Sequence, residues 1–169
     1  MVKSPPPELG HLVQALNEAG GAYHHIDFGE GVALEGYYDL APHLSLFDLP
    51  DEMEGLRVLD VGTFTGFLAL ECAARGAKVT AIDIHERSPV TDLAAILGLP
   101  VQYRQQSVFE LAPGDGPYDL LVCGSLLLHL TDPVLALSRM RIVCGSALHV
   151  TTLCPKGRWR NRSHRCDFV

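Results

Sequence analysis

Arg57-Val58-Leu59-Asp60-Val61-Gly62-Thr63-Phe64-Thr65-Gly66-Phe67 reads as a buried strand running into a glycine turn and then a helix. Val58, Leu59 and Val61 form a short apolar run, Gly62 and Gly66 punctuate it, and residues 67–75 continue with helical spacing until Gly76 stops them. In an open parallel sheet such a turn lies at the carboxyl end of a strand, beside a helix N-terminus whose N–H groups are unpaired, and ligands bind there. Lys78-Val79-Thr80-Ala81-Ile82-Asp83-Ile84 reads as the next strand. Asp83 ends it about twenty residues after the turn, where a carboxylate can accept both hydroxyls of a ribose. The two strands together offer one nucleoside site. A pyrophosphate-binding turn requires G-x-G-x-x-G, and here Phe64 stands where a diphosphate needs bare backbone, which argues against NAD or FAD.

Downstream, Ser88-Pro89 reads as an N-cap and first helical position, with Leu93, Ala94, Ile96 and Leu97 filling a helix that ends at Gly98. Val101–Arg104, Pro117–Gly124 and Ala147–Leu153 read as strands three, four and five, with a helix opened by Thr131-Asp132-Pro133 before the last. The expected fold is α/β: a Rossmann-like, doubly wound parallel sheet of order 3-2-1-4-5. Ahead of it, Leu9, Leu12, Val13 and Leu16 recur with helical spacing before Gly20-Gly21. Residues 22–55 mix aromatics, histidines, glycines and acids without a sustained period, so loops with one or two short elements are expected. The chain thus divides into a lead-in and lid (1–55), a ligand-binding core (56–155) and a basic tail (156–169), for which disorder is expected.

The 169 residues suffice for one domain with a substantial core, and 47% hydrophobic with 20% charged residues is ordinary for a globular protein. No apolar run approaches the eighteen or so residues that span a bilayer, and no basic-then-apolar leader is present, so a cytoplasmic protein without a membrane partner is expected. The five cysteines form no C-x-x-C pair, so reduced thiols and no metal are expected. The net charge of −7 conceals an acidic body and a tail holding five Lys or Arg against Asp167. Binding along a phosphate backbone depends on basic side chains, so DNA is not expected as a partner.

Asp60-x-Gly62, followed by Gly66 and by Asp83, resembles the D/E-x-G-x-G-x-G signature of class I S-adenosylmethionine (SAM) methyltransferases, with Phe64 in place of the middle glycine. Within that superfamily, Asp60–Phe67, Tyr23–Gly29 and Gly36–Asp39 look most like the branch of tRNA wobble-uridine modifying enzymes related to the carboxymethyl transferases. The resemblance continues in Gly124-x-Leu126-x-x-His129-Leu130-x-Asp132-Pro133, although Leu128 stands where that branch carries tyrosine, so ordinary SAM is the implied cofactor. It implies that Asp60 organises the turn holding the amino-acid moiety, that Gly62 and Gly66 give backbone access with Thr63 and Phe64 between them, that Asp83 takes the ribose, and that Ile84 covers adenine. Ser107 occupies the usual place of an acid facing the adenine amino group, with the backbone of Val108 as a further contact. Gly124 ends strand four opposite the methyl group. His129 is the candidate general base.

The resemblance also implies a hairpin after strand five that this sequence lacks. An uncovered strand-five edge makes a homodimer through that edge an expectation, with Trp159 as the anchor if the tail covers it instead. The expected function is methyl transfer to a small metabolite or tRNA. The alternatives are a truncated SAM-binding protein without turnover and, against the evidence of Phe64, an NAD-dependent oxidoreductase.

Overall fold

The computed structural model describes residues 4–152 apart from Arg87. Five strands, β4 (Arg57–Val61), β5 (Lys78–Asp83), β6 (Val101–Gln105), β7 (Tyr118–Gly124) and β8 (Cys144–Thr151), form one sheet of order β6-β5-β4-β7-β8. All four pairings are parallel, so the observed order is the expected 3-2-1-4-5. The central strand explains itself: Val58, Leu59, Asp60 and Val61 are all buried, as a parallel strand covered on both faces must be. Helices α2 (Phe67–Ala74) and α3 (Val90–Leu97) cover one face, and α4 (Pro133–Val143) covers the other. Asp132 caps α4 as expected, its Oδ1 accepting from the Leu135 N–H at 2.8 Å.

Helix α3 differs from expectation by one position. Pro89 is the N-cap, and Ser88 instead accepts from the Val90 N–H at 3.2 Å while its hydroxyl donates to the Phe64 carbonyl. The start of α3 is therefore tied to the glycine turn. Strand β8 begins at Cys144, three residues before the expected Ala147, because the chain passes straight from the end of α4 into the strand.

The larger departure lies in the lead-in. After α1 (Pro7–Glu18), residues expected to be mostly loop form β1 (Ala22–Asp27), β2 (Ala33–Leu34) and β3 (Gly36–Asp39), a sheet of order β2-β1-β3, followed by a 3-10 helix over Ala41–Phe47. These strands carry no sustained hydrophobic period because they are two to six residues long and mostly half-buried. Gly36 shows how closely they pack: a Cβ there would lie 2.2 Å from the His24 carbonyl carbon. The lead-in also shares its core with the sheet, Leu9, Val13, Ile26, Leu34 and Phe47 joining Val58, Phe67 and Leu68 in one buried cluster.

Thr65 makes the join specific. Only 1% exposed, its hydroxyl oxygen accepts from the backbone N–H groups of both Tyr23 and His24, each at 3.2 Å. Thr65→Val keeps the shape and removes that acceptor. It is expected to cost about 1–3 kcal/mol, measured as a lower urea midpoint at unchanged slope.

No helix among the described residues is long and apolar enough to cross a membrane. The expectations about the tail, Trp159 and the covering of the strand-five edge fall on residues outside those described.

Candidate functional site

The carboxyl ends of β4, β5 and β7 open onto a cavity of about 440 Å³, lined among others by Tyr23, Gly62, Phe64, Asp83, His85 and Phe109. It lies where strand order reverses around β4, the place such sheets bind ligands. Of the residues expected to form a site, Gly62, Phe64, Asp83, Ile84, Ser107, Val108, Gly124 and His129 all line it. Asp60, Thr63 and Gly66 stand behind the wall.

The glycine turn accounts for that division. Gly62 adopts φ +78°, and a Cβ there would meet the Leu126 side chain at 3.1 Å. Gly66, at φ +98°, faces α3 instead, where a Cβ would lie 2.3 Å from Val90. Its glycine thus serves helix-to-turn packing rather than the expected backbone access from the cavity. Phe64 takes φ +46°, a left-handed conformation that costs a non-glycine residue about 1–2 kcal/mol. Its N–H donates to Asp83 Oδ2 at 2.9 Å, and its ring is edge-on to Tyr23 and to His85, both at 5.2 Å. Tyr23 continues the array by stacking on Tyr38 at 6.1 Å.

Asp60 lies beneath the turn, 2% exposed. Burial pushes its carboxyl up to about 7; the Thr63 hydroxyl and the Ala69 N–H oppose the rise, and Asp83 adds to it. Thr63 is near enough to favour the charged form, yet Asp60 Oδ2 and Thr63 Oγ1 are both left without a partner in hydrogen-bond geometry. A carboxyl beneath the glycine turn with one oxygen unpartnered favours a ligand that places an ammonium group above that turn.

Ser107 spends its polar groups locally. Its Oγ accepts from the Phe109 N–H at 3.3 Å and its N–H donates to the Glu110 carboxylate at 2.9 Å, closing a capping box on the 3-10 turn Val108–Glu110. His129 is exposed at the cavity rim, on the 3-10 turn Leu127–His129.

Sequence reading missed His24 and His85. His24 lines the cavity, its Nδ1 is buried without a partner, and burial lowers its pKa to about 4, so a neutral ring faces the site near pH 7. The adjacent pair His24-His25 was visible, but only the β1–β3 pairing decides which ring turns inward.

A parallel sheet with a glycine turn after its first strand, an acid ending its second and an aromatic-walled cavity between them defines the class of Rossmann-like nucleoside-binding folds to which SAM methyltransferases belong. Residues 58–147 match the family model described as Methyltransferase domain, and the chain belongs to that family. It is 44% identical over 87 residues to a ubiquinone biosynthesis O-methyltransferase of Alkalilimnicola ehrlichii, covering 50% of this chain and 35% of that protein. It is 40% identical over 89 residues to the protein of that name from Bordetella avium, covering 51% and 37%. The chain thus matches little more than a third of the length of these relatives. A SAM-dependent methyltransferase of Aquifex aeolicus superposes with a TM-score of 0.57 at 23% identity, covering 72% of this chain and 69% of that one. The bifunctional kinase-methyltransferase WbdD does so at 0.57 and 24%, covering 81% and 34%. Both likenesses concern the fold. The expected affinity with the wobble-uridine branch is corrected by these relatives, which are named for ubiquinone biosynthesis, and the oxidoreductase reading gives way to the methyltransferase family.

Proposed function

We propose that this chain binds SAM in the cavity between β4, β5 and β7 and transfers its methyl group to a small-molecule acceptor, in the manner of an O-methyltransferase. The observation that carries the reading is the convergence of Gly62, Asp83 and Gly124 from three different strands on one cavity, above the unpartnered Asp60 and Thr63. Bound SAM would supply a methyl group already activated on a sulfonium. Asp83 would hold the ribose, Ile84 and Val108 would flank the base, and the turn over Asp60 and Thr63 would receive the amino-acid end. The protein's task is then chiefly alignment, which can be worth roughly 7–11 kcal/mol, so one indispensable side chain is not required. His129 at the rim is the residue proposed to take the acceptor's proton.

A small acceptor is favoured over tRNA by the acidic body of the chain, by the apolar and aromatic wall of Tyr23, Phe64, Phe109 and Leu126, and by the names of the relatives. Calorimetric titration with SAM and NAD, followed by transfer of labelled methyl into phenolic small molecules and into tRNA, tests the proposal. Saturable SAM binding and label in the small-molecule fraction are expected. Label confined to tRNA would overturn the acceptor class, and SAM binding without transfer to either would favour a binding protein without turnover.

A further inference from the structure

Asp83 is already held from three directions. Its Oδ2 accepts from the Phe64 N–H at 2.9 Å, and its Oδ1 accepts from the His85 N–H at 3.2 Å and from the His85 ring Nδ1 at 2.6 Å. An ionised carboxylate only accepts, so Nδ1 is the donor in the last of these. The two oxygens offer about four lone-pair positions, and a ribose diol needs two of them. One of the present donors must therefore leave before both hydroxyls can bind.

The three donors are not equally free to leave. The Phe64 N–H belongs to the glycine turn, whose neighbouring residues are anchored by Thr63 and Gly62 N–H bonds to the Ile82 carbonyl. The His85 N–H is held by β6: the Tyr103 hydroxyl donates to the His85 carbonyl, and Gln105 Nε2 donates to the Ile84 carbonyl at 3.1 Å. The His85 ring is different, with its side chain 56% exposed and held by Asp83 together with the edge-on Phe64 ring at 5.2 Å. Rotation about its own side-chain bonds frees Oδ1 without moving any backbone.

We propose that His85 is an internal competitor of the ribose in the nucleoside site, its ring occupying Asp83 in the free protein and yielding that position to a ribose carrying both hydroxyls. The inference rests on the reading of Asp83 as the ribose acceptor. Its consequence is that a nucleoside lacking the diol leaves the ring in place at no cost, whereas one with the diol must break one hydrogen bond to make two.

Calorimetric titration of the full chain and its variants with S-adenosylhomocysteine, adenosine and 2′,3′-dideoxyadenosine tests this. His85→Ala is expected to bind S-adenosylhomocysteine and adenosine about fivefold to tenfold more tightly than the parent, one net hydrogen bond no longer being broken. Its affinity for 2′,3′-dideoxyadenosine is expected to stay unchanged, and His85→Asn, which keeps a donor, to stay nearer the parent. Unchanged or weaker S-adenosylhomocysteine binding by a folded His85→Ala protein, as judged by its thermal midpoint, overturns the role of His85 alone. A parent protein that fails to distinguish adenosine from its dideoxy analogue, or binds no S-adenosylhomocysteine, overturns the reading of Asp83 itself, and the proposal with it.

Discussion

Asp83→Ala is expected to weaken SAM binding by about two to four orders of magnitude while leaving a folded protein. Two charge-assisted hydrogen bonds from a ribose diol, each typically about 1.5–3 kcal/mol, account for the range. The same carboxylate accepts the Phe64 N–H in the free protein. Its removal therefore also withdraws support from a non-glycine residue at φ +46°, and a stability loss of about 1–3 kcal/mol is expected alongside. Asp83→Asn keeps one acceptor without the charge and should recover only part of each loss. Calorimetry gives the affinity and urea unfolding the stability. A folded Asp83→Ala protein with parental SAM affinity would remove Asp83 from the site.

Asp60→Asn is expected to separate stability from binding. An acid whose folded pKa rises from 3.8 to about 7 keeps its proton in the native state after the unfolded chain has lost it. Stability is then undiminished below the unfolded value and declines as pH climbs from about 4 to about 7, beyond which the burden is constant. At about 1.4 kcal/mol per unit, the accumulated burden is about 4 kcal/mol at pH 8. The asparagine has no charge to bury, so its advantage should be absent near pH 4, grow across that window and stay level above it. His24 works in the opposite sense: lowered to about 4, it costs stability as pH falls below its unfolded value, but it does so in both proteins and cancels in the difference. SAM binding by Asp60→Asn is nonetheless expected to fall about tenfold, since a charge beneath the turn attracts an ammonium group bound above it and the amide supplies none. Thermal midpoints measured from pH 4 to 8 give the first result and calorimetry the second. A pH-independent stability difference would show that Asp60 ionises without penalty in its buried place.

The strands of the parallel sheet and the glycine turn were legible because each rests on local signals, and the sheet's order follows from the doubly wound pattern they imply. A buried apolar run, a glycine that must take positive φ and an acid at the next strand's end are properties of a few neighbouring residues, and β4, β5 and their turn lie where those signals put them. The lead-in was not legible for the converse reason. β1, β2 and β3 are stabilised by pairing with one another, by packing of Leu9 and Ile26 onto the main core and by the Thr65 hydroxyl, contacts made across 40 residues of chain or more in the case of Thr65.

The same distinction runs through the cavity wall. Phe64 was visible as a departure from a glycine pattern and as an argument against a diphosphate; that its backbone takes a positive φ, with its N–H on Asp83, is decided by the turn after β4. Gly62 and Gly66 look alike in sequence, yet one borders the cavity and the other meets Val90, because α3 returns to the turn on only one side. The local sequence by itself determined strands of a parallel sheet with an acid and a glycine turn at the ends of two of them, since propensity, burial pattern and positive φ act over a few residues. Only the tertiary structure decided that Asp60 is buried with an unpartnered oxygen, that His24 faces the cavity and that His85 reaches Asp83, because burial, desolvation and side-chain pairing depend on what the rest of the chain brings alongside.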